Sequence, residues 1–187
     1  MPADKQPFLS DVKVLRRRAQ EAIEKGAVTA SYGLDAARAV EILQSALATE
    51  IVCVLRYTAN AVTAAGINSA EVKKEFEEHA GDELEHMNAI AERINQLGGV
   101  PDMNPDGLLG RAHSQYFGSG TLVDMIKENL IAERIAIESY TEMIRFFGDK
   151  DPTTRVMLEK ILAQEEEHAN DMHDLLVAHE GRPMLRS

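Results

Sequence analysis

The sequence predicts an all-α fold, a four-helix bundle preceded by an extra N-terminal helix. Three observations lead to this prediction. Four long segments repeat apolar residues at steps of three and four, the period of a helix with one buried face. Gly, Pro and capping residues separate these segments. Hydrophobic residues make up 44% of the 187 residues and aromatic residues only 5%, which favours packed helices over a β-sandwich.

The first elements are an extension and a helical hairpin. Residues 1–33 are predicted to form the extension, with one short helix over residues 11–25 that carries an apolar face and ends at a glycine. Residues 34–187 form the bundle. Its first long helix is predicted over residues 36–65. The second is predicted over residues 69–98, between a cap-forming Asn-Ser pair and a Gly-Gly pair.

A long connection and a second hairpin complete the chain. Residues 98–120 are rich in Gly, Pro, Asp and Asn, and residues 108–113 suit one helical turn. The third long helix, over residues 121–148, opens with a capping-box pattern. The fourth, over residues 151–180, opens with Asp-Pro, an N-cap followed by proline at the first helical position. Because the connection can span the bundle, the predicted topology is up-down-down-up.

The apolar stripe of each long helix is interrupted at its middle by a carboxylate. In the second and fourth helices a histidine follows that carboxylate three residues later. A buried carboxylate is costly unless it is paired or bound to a metal, so four of them in one core predict bound cations. The residues that interrupt the stripes are Glu50, Glu83, His86, Glu133, Glu165 and His168.

These carboxylates are also predicted to share one height in the bundle. Glu50 precedes its helix end by roughly 24 Å and Glu83 follows the next helix start by roughly 21 Å, at 1.5 Å per residue. Glu133 and Glu165 match in the same way. Four carboxylates and two imidazoles suit two Fe or Mn ions better than zinc, although Mn or Zn could substitute for Fe. Glu83 and Glu165 would bridge the two metals, with Glu50 and Glu133 as terminal ligands.

This pattern resembles the ferritin-like superfamily, and within it bacterioferritin, from about residue 34 to residue 180. The resemblance implies a diiron centre inside each subunit. Tyr57, seven residues after Glu50, matches the tyrosine beside the bacterioferritin centre; it is either a redox-active neighbour of the metals or an ordinary core aromatic. Asp82 also fits the family pattern. Leu84 stands where bacterioferritin has a haem-binding methionine, which argues against a haem of that type.

Other features are similar to the Dps-like miniferritins. These are the N-terminal extension, the long second-to-third connection and a short segment after the fourth helix. The resemblance therefore implies a homo-oligomeric cage with a bacterioferritin-type site inside each subunit. Twelve subunits are usual in the Dps-like branch, but the sequence does not decide between twelve and twenty-four. Members of this branch often carry a cysteine pair, whereas this chain has a single Cys.

The implied function is iron storage and detoxification with ferroxidase activity. Fe²⁺ would be oxidised by O₂ or H₂O₂ at the diiron centre, and ferric mineral would be stored in the cage. The alternative is a soluble diiron or dimanganese peroxidase or oxidase that does not store iron. A cytoplasmic location is expected, because no segment has the pattern of a membrane span or a signal peptide.

The net charge of −11 argues against a protein that binds nucleic acid over its whole surface. DNA binding stays open through Arg16, Arg17 and Arg18, although the acidic residues nearby favour an interface or a solvated face. The acidic excess instead indicates a cationic metal as the partner. His79, one step before Glu83 on the same stripe, is either a satisfied core histidine or part of a third metal site or gate.

Overall fold

The computed structural model describes residues 10–21, 23–66 and 69–180, and over these ranges the regular elements are all helices. Each long helix ends within one turn of its predicted boundary, which confirms the all-α bundle. The predicted cap residue Asn68 and the tail, residues 181–187, lie outside the described residues. The α-helices are α1 (Val12–Gln20), α2 (Ala36–Thr63), α3 (Ser69–Gln96), α4 (Leu108–Arg111), α5 (Leu122–Phe147) and α6 (Pro152–Glu180).

The N-terminal helix is shorter than predicted. Helix α1 ends at Gln20, and a separate 3₁₀ turn covers Ile23–Lys25. The predicted apolar face is not packed, since Val12 is 74% exposed and Ile23 is 77% exposed. A single helix over residues 11–25 is therefore wrong. A short helix that buries none of its side chains lacks the tertiary contacts that would extend it.

The bundle consists of two hairpins, α2 with α3 and α5 with α6, packed against each other. Contacts between the hairpins fix the directions of their helices. Within each pair of helices, the residue numbers rise along one helix as those of their contact partners fall along the other. Helices α2 and α5 are therefore antiparallel, and so are α3 and α6. This confirms the up-down-down-up topology. The contacting pairs are Glu50 with Tyr140, Tyr57 with Glu133, His86 with Gln164, and Arg93 with Asp151.

The connection between α3 and α5 runs along α2. Near the start of α2, the Gln44 side chain donates to the carbonyl of Val100 at 2.7 Å. Near its end, Arg56 donates to the hydroxyl of Ser114 at 2.7 Å. Gln44 and Arg56 lie roughly 18 Å apart along the helix, so the connection carries the chain from one end of the bundle towards the other. Between these anchors, Leu108 of α4 packs on α2.

Arg56 is a buried cation that the apolar pattern does not reveal. Its guanidinium also donates to Asn129 Oδ1 on α5 at 2.7 Å and to the carbonyl of Gln115 at 3.2 Å. Cys53, which is buried as predicted, accepts a further hydrogen bond at 3.6 Å. Arg56 thereby joins α2, α5 and the connection through one side chain.

The polar level at mid-bundle separates the two larger apolar clusters of the described residues, and a third, smaller cluster lies between α2 and α4. Of the two larger clusters, one lies towards the start of α2 and the other towards its end. The first cluster includes Leu43, Leu47, Ile90, Ile94, Phe147 and Leu158, and the second includes Ala61, Val72, Phe76, Met125, Ile126 and Met172.

No helix in the described ranges combines the length and apolar character that a membrane span requires.

The start of α6 is held by the buried carboxylate of Asp151. This carboxylate accepts hydrogen bonds from the Thr154 amide at 2.9 Å, from Arg93 of α3 at 2.9 Å and from the Tyr32 hydroxyl at 2.8 Å. Burial acts to raise the pKa of Asp151, but the hydrogen bonds from Thr154, Tyr32 and Arg93 hold it below its ordinary value. Asp151 therefore links α6 to α3 and to the segment that precedes α2.

We expect Asp151→Ala to lower the free energy of unfolding by about 2–4 kcal/mol, because it removes an N-cap and leaves the partly buried Arg93 without its carboxylate partner. Urea unfolding of the metal-free protein, followed by far-UV circular dichroism, measures the change. Asp149→Ala is the matched control, since Asp149 is 98% exposed and its ion pair with Arg155 lies near the surface. Equal urea midpoints for the two variants would contradict this role of Asp151.

Candidate metal centre

Six side chains converge at the polar level between the two apolar clusters. They come from all four long helices, and each is at most 3% exposed. The helical period places them there, because each lies on the inward stripe of its own helix. The structure thus brings together all six residues that the sequence singled out: Glu50, Glu83, His86, Glu133, Glu165 and His168.

The ligand atoms of these residues fall into two groups. Within each group the atoms lie within 4.8 Å of one another, close enough to surround one ion. Each group contains three carboxylates and one imidazole, and two carboxylates belong to both. The first group is Glu50, Glu83, His86 and Glu165, and the second is Glu83, Glu133, Glu165 and His168.

Glu83 and Glu165 face the two groups with different oxygen atoms. Glu165 Oε1 lies 3.2 Å from His86 Nδ1, and its Oε2 lies 3.7 Å from His168 Nδ1. Glu83 Oε2 lies 3.5 Å from His86 Nδ1, and its Oε1 lies 3.9 Å from His168 Nδ1. A carboxylate that directs one oxygen at each of two positions has the geometry of a bridge between two ions.

Two tyrosines hold the carboxylates that belong to one group only. The Tyr57 hydroxyl donates to Glu133 Oε1, and the Tyr140 hydroxyl donates to Glu50 Oε1. Sequence reasoning singled out Tyr57 alone. The signal for Tyr140 was present, because each tyrosine follows a terminal glutamate of its own helix by seven residues. Each tyrosine then contacts the glutamate of the other helix.

The outer nitrogens of both histidines also have partners. His86 Nε2 donates to Gln164 Oε1 at 3.0 Å, and His168 Nε2 donates to Asp82 Oδ2 at 3.2 Å. A proton held on Nε2 leaves the lone pair of Nδ1 directed into the centre, as a metal ligand requires. Gln164 and Asp82 each immediately precede a bridging glutamate in the sequence. A polar residue at that position is therefore the sequence signal for a residue that accepts a hydrogen bond from a histidine of the centre.

The inward-facing atoms make no hydrogen bonds of good geometry. Buried polar atoms in proteins are normally paired, so many unpaired ones at a single place indicate that something else compensates their charge. A pair of cations fits this set of oxygen and nitrogen donors. The unpaired atoms are Glu50 Oε2, Glu133 Oε2, both carboxylate oxygens of Glu83 and Glu165, and Nδ1 of His86 and His168.

The electrostatics of the centre favour protons when no cation is bound. Burial, followed by the negative charge of Glu165, raises the pKa of Glu83 and Glu133 well above the usual range. Burial acts to lower the pKa of His86, but the carboxylates around it raise it. Burial also acts to raise the pKa of Glu165, but the imidazoles of His168 and His86 lower it. Cations that enter must therefore displace protons.

His79 adjoins the centre without belonging to either group. Its Nδ1 lies 3.2 Å from the Tyr57 hydroxyl oxygen, and its ring stacks on His168 with centroids 3.9 Å apart. Burial and the charge of His168 lower the pKa of His79 to about 3, so it is neutral at pH 7. Its Nε2 points towards Glu75 and Asp171 and has no hydrogen-bond partner. His79 is therefore not a fully satisfied core histidine.

A surface cavity of about 320 Å³, here called the acidic recess, opens beside His79. It reaches the ring of His168, whose Nδ1 faces the centre. Five carboxylates line it, and a recess with this charge concentrates divalent cations near the centre. The lining residues are Glu75, Glu78, His79, Asp82, Gln164, Glu167, His168 and Asp171.

The chain is similar to known proteins over most of its length. The family model for the ferritin-like domain matches residues 40–180. A DNA protection during starvation protein from Pyrococcus furiosus is 30% identical over 154 residues, which cover 81% of this chain and 82% of that protein. A bacterioferritin from Desulfovibrio desulfuricans is 26% identical over 134 residues, which cover 71% of this chain and 70% of that protein.

A solved structure shows the same similarity. It is a dodecameric thioferritin, the bacterioferritin-related protein from Bacteroides fragilis. It aligns with this chain with a TM-score of 0.76 and 35% sequence identity. The alignment covers 82% of this chain and 94% of that chain.

We expect Gln164→Leu to weaken metal binding at the first group by about tenfold, because His86 loses the acceptor that orients its ring. Titration of the metal-free protein with Zn²⁺ against a chelator of known affinity measures the change. Glu166→Ala is the control, since Glu166 lies on the same helix but is exposed. Wild-type affinity in Gln164→Leu would show that this hydrogen bond does not support the centre.

We also expect Zn²⁺ binding to release protons and to strengthen as the pH rises from about 6 to about 8. The pKa values of Glu83, Glu133 and His86 are raised, so protons compete with the metal for these groups, and this competition weakens as the pH rises. Calorimetric titrations in buffers of different ionisation enthalpy count the protons released. A binding heat that is the same in every buffer would contradict the expectation.

Proposed function

The chain belongs to the ferritin-like family, and from this premise we propose that it is an iron-storage and detoxification protein with ferroxidase activity. Two Fe²⁺ ions would bind as substrates, one in each ligand group, and be oxidised by O₂ or H₂O₂. The Fe³⁺ product would then move into the cavity of a cage. The observation that carries this proposal is the pair of ligand groups that share Glu83 and Glu165.

The proposed roles of the six residues follow from their contacts. Carboxylate oxygen and imidazole nitrogen are donors that suit Fe²⁺, and the bridging carboxylates hold the two ions close together. Four ionised carboxylates balance the charge of two Fe²⁺ ions. The proposed ligands are Glu50 and His86 at the first position, Glu133 and His168 at the second, and Glu83 and Glu165 as bridges between them.

The electrons balance with either oxidant. O₂ accepts one electron from each of two Fe²⁺ ions and, with two protons, leaves as H₂O₂. H₂O₂ accepts the same two electrons and, with two protons, leaves as two water molecules. Because oxidation adds two positive charges to a centre whose carboxylates match two Fe²⁺ ions, the Fe³⁺ pair is bound with less complete charge compensation.

Tyr57 and Tyr140 are proposed to position the terminal carboxylates. Each phenol holds one oxygen of its glutamate and leaves the other free for the ion. Tyr57 has a second contact, with His79, which Tyr140 lacks among the described residues. For Tyr57 we also propose a redox role, since its phenol lies beside the second ion position.

We propose that the chain assembles into a homo-oligomeric cage of twelve subunits, because the similar thioferritin is dodecameric. Exposed apolar residues on the outer faces of α2 and α5 are consistent with contacts between subunits. Leu55, Ile131 and Phe146 are examples. DNA binding is not part of the proposed function. Arg16, Arg17 and Arg18 are exposed on α1, but the net charge of −11 repels DNA.

We expect the double variant Glu83→Ala/His168→Ala to lose the fast phase of Fe²⁺ oxidation, because it removes a bridge and a terminal ligand. Stopped-flow absorbance after mixing with O₂ or H₂O₂ measures that phase. The matched control is Glu85→Ala/His113→Ala, which changes the same residue types at exposed positions. Rapid oxidation in the ligand variant would overturn the assignment of the site.

Iron retention separates storage from the alternative function. We expect the wild-type particle, isolated by size exclusion after repeated additions of Fe²⁺, to retain far more than two iron ions per subunit. Elemental analysis of the particle gives that ratio. Retention of only two ions, with turnover of an external reducing substrate, would instead identify a dinuclear peroxidase or oxidase.

A further inference from the structure

We propose that Glu75, His79 and Asp171 form a third cation site, which binds one divalent ion in the acidic recess. This site lies outside both ligand groups of the candidate metal centre. That Fe²⁺ is its natural ion rests on the proposed function, whereas the existence of the site rests on the geometry of these three residues alone.

The three side chains surround a common point with distances that suit an ion. His79 Nε2 lies 3.5 Å from Glu75 Oε1 and 3.6 Å from Asp171 Oδ2. All three ligand atoms lie within 4.8 Å of one another. Donors about 2.0–2.2 Å from a shared ion are separated by about 3–3.5 Å, so only small shifts are needed. Water from the recess would complete the coordination.

The tautomer of His79 makes Nε2, the nitrogen that faces Glu75 and Asp171, a metal ligand rather than a hydrogen-bond donor. With Glu133 ionised, as it is when it holds a cation, Tyr57 gives its single hydroxyl proton to that carboxylate. The contact between Tyr57 and His79 Nδ1 therefore needs the proton on Nδ1, with the tyrosine oxygen as acceptor. Nε2 is then left with a lone pair, and that lone pair points at the carboxylates of Glu75 and Asp171.

A lone pair that faces two carboxylates is repulsive unless positive charge lies between them. His79 is 2% exposed, and its Nε2 has no hydrogen-bond partner, so bulk water does not offset this repulsion. Among the described residues, neither Glu75 nor Asp171 forms an ion pair with a lysine or arginine. Glu78, in the same recess, differs because Lys74 pairs with it at 2.8 Å. A divalent cation would compensate all three groups of the site.

The site lies directly beside the second ion position. Glu75, His79 and Glu83 occupy successive turns of α3, about 6 Å apart along its axis. Asp171 and His168 occupy adjacent turns of α6, and the rings of His79 and His168 stack. An ion held by Glu75, His79 and Asp171 is therefore one helical turn from the centre, on the side where the recess opens. Such a site would load the centre from solvent.

Counting bound ions tests the proposal without any redox reaction. Metal-free protein is titrated with Co²⁺ under anaerobic conditions, and the bound ions are counted by equilibrium dialysis with elemental analysis. We expect three ions per subunit in the wild type and two in Glu75→Gln/Asp171→Asn. The matched control, Glu78→Gln/Glu167→Gln, removes one recess carboxylate from each of the same two helices and should retain three.

A second variant distinguishes failure of this inference from failure of the proposed function. Glu83→Gln/Glu165→Gln should lose the inner pair of ions and retain the outer one. Anomalous diffraction from Co²⁺-soaked wild-type crystals locates each ion directly, even if a variant does not fold. Two inner ions with no density between Glu75 and Asp171 would overturn the third site alone. An ion in the recess with none in the centre would overturn the proposed function and leave the third site standing.

Discussion

Four carboxylates buried at one level of a helical bundle are the constraint on which the rest of the structure depends. Each carboxylate would cost several kcal/mol to bury if its charge were not compensated. Apolar clusters close this level from both sides, so protons or cations rather than water must compensate the charge. The matched helix lengths, the long connection along α2 and the antiparallel pairing of the hairpins all bring these four groups to the same height.

The helices and the six central residues can be predicted from the sequence because both depend on local periodicity. A glutamate in the middle of an apolar stripe stands out whatever the helix packs against. Partners across helices are different, since they depend on how each helix is rotated about its axis. Tyr140 and Gln164 stand at recognisable distances from glutamates of their own helices, but the groups they contact, Glu50 and His86, belong to other helices and appear only when α5 and α6 are placed beside α2 and α3.

The other differences between the prediction and the structure occur where hydrophobic periodicity does not determine how a residue packs. The stripe predicted for residues 11–25 stays exposed, with no side chain of α1 buried, so it lacks the packing that would make it one helix. Arg56 lies beside the apolar stripe of α2, and its burial depends on acceptors from α5 and from the α3–α5 connection, which the stripe does not reveal. His79 lies on its stripe as expected, yet which of its nitrogens is left free depends on Tyr57, a residue of another helix.

The outer partners of the two histidines break the approximate symmetry between the hairpins. His168 donates to the carboxylate of Asp82, whereas His86 donates to the neutral amide of Gln164. A carboxylate makes an imidazole more basic than an amide does, so His168 is the stronger electron donor. In the proposed centre, the two ion positions would therefore differ in affinity. A half-filled centre would hold its ion on the His168 side, where the histidine ring borders the acidic recess.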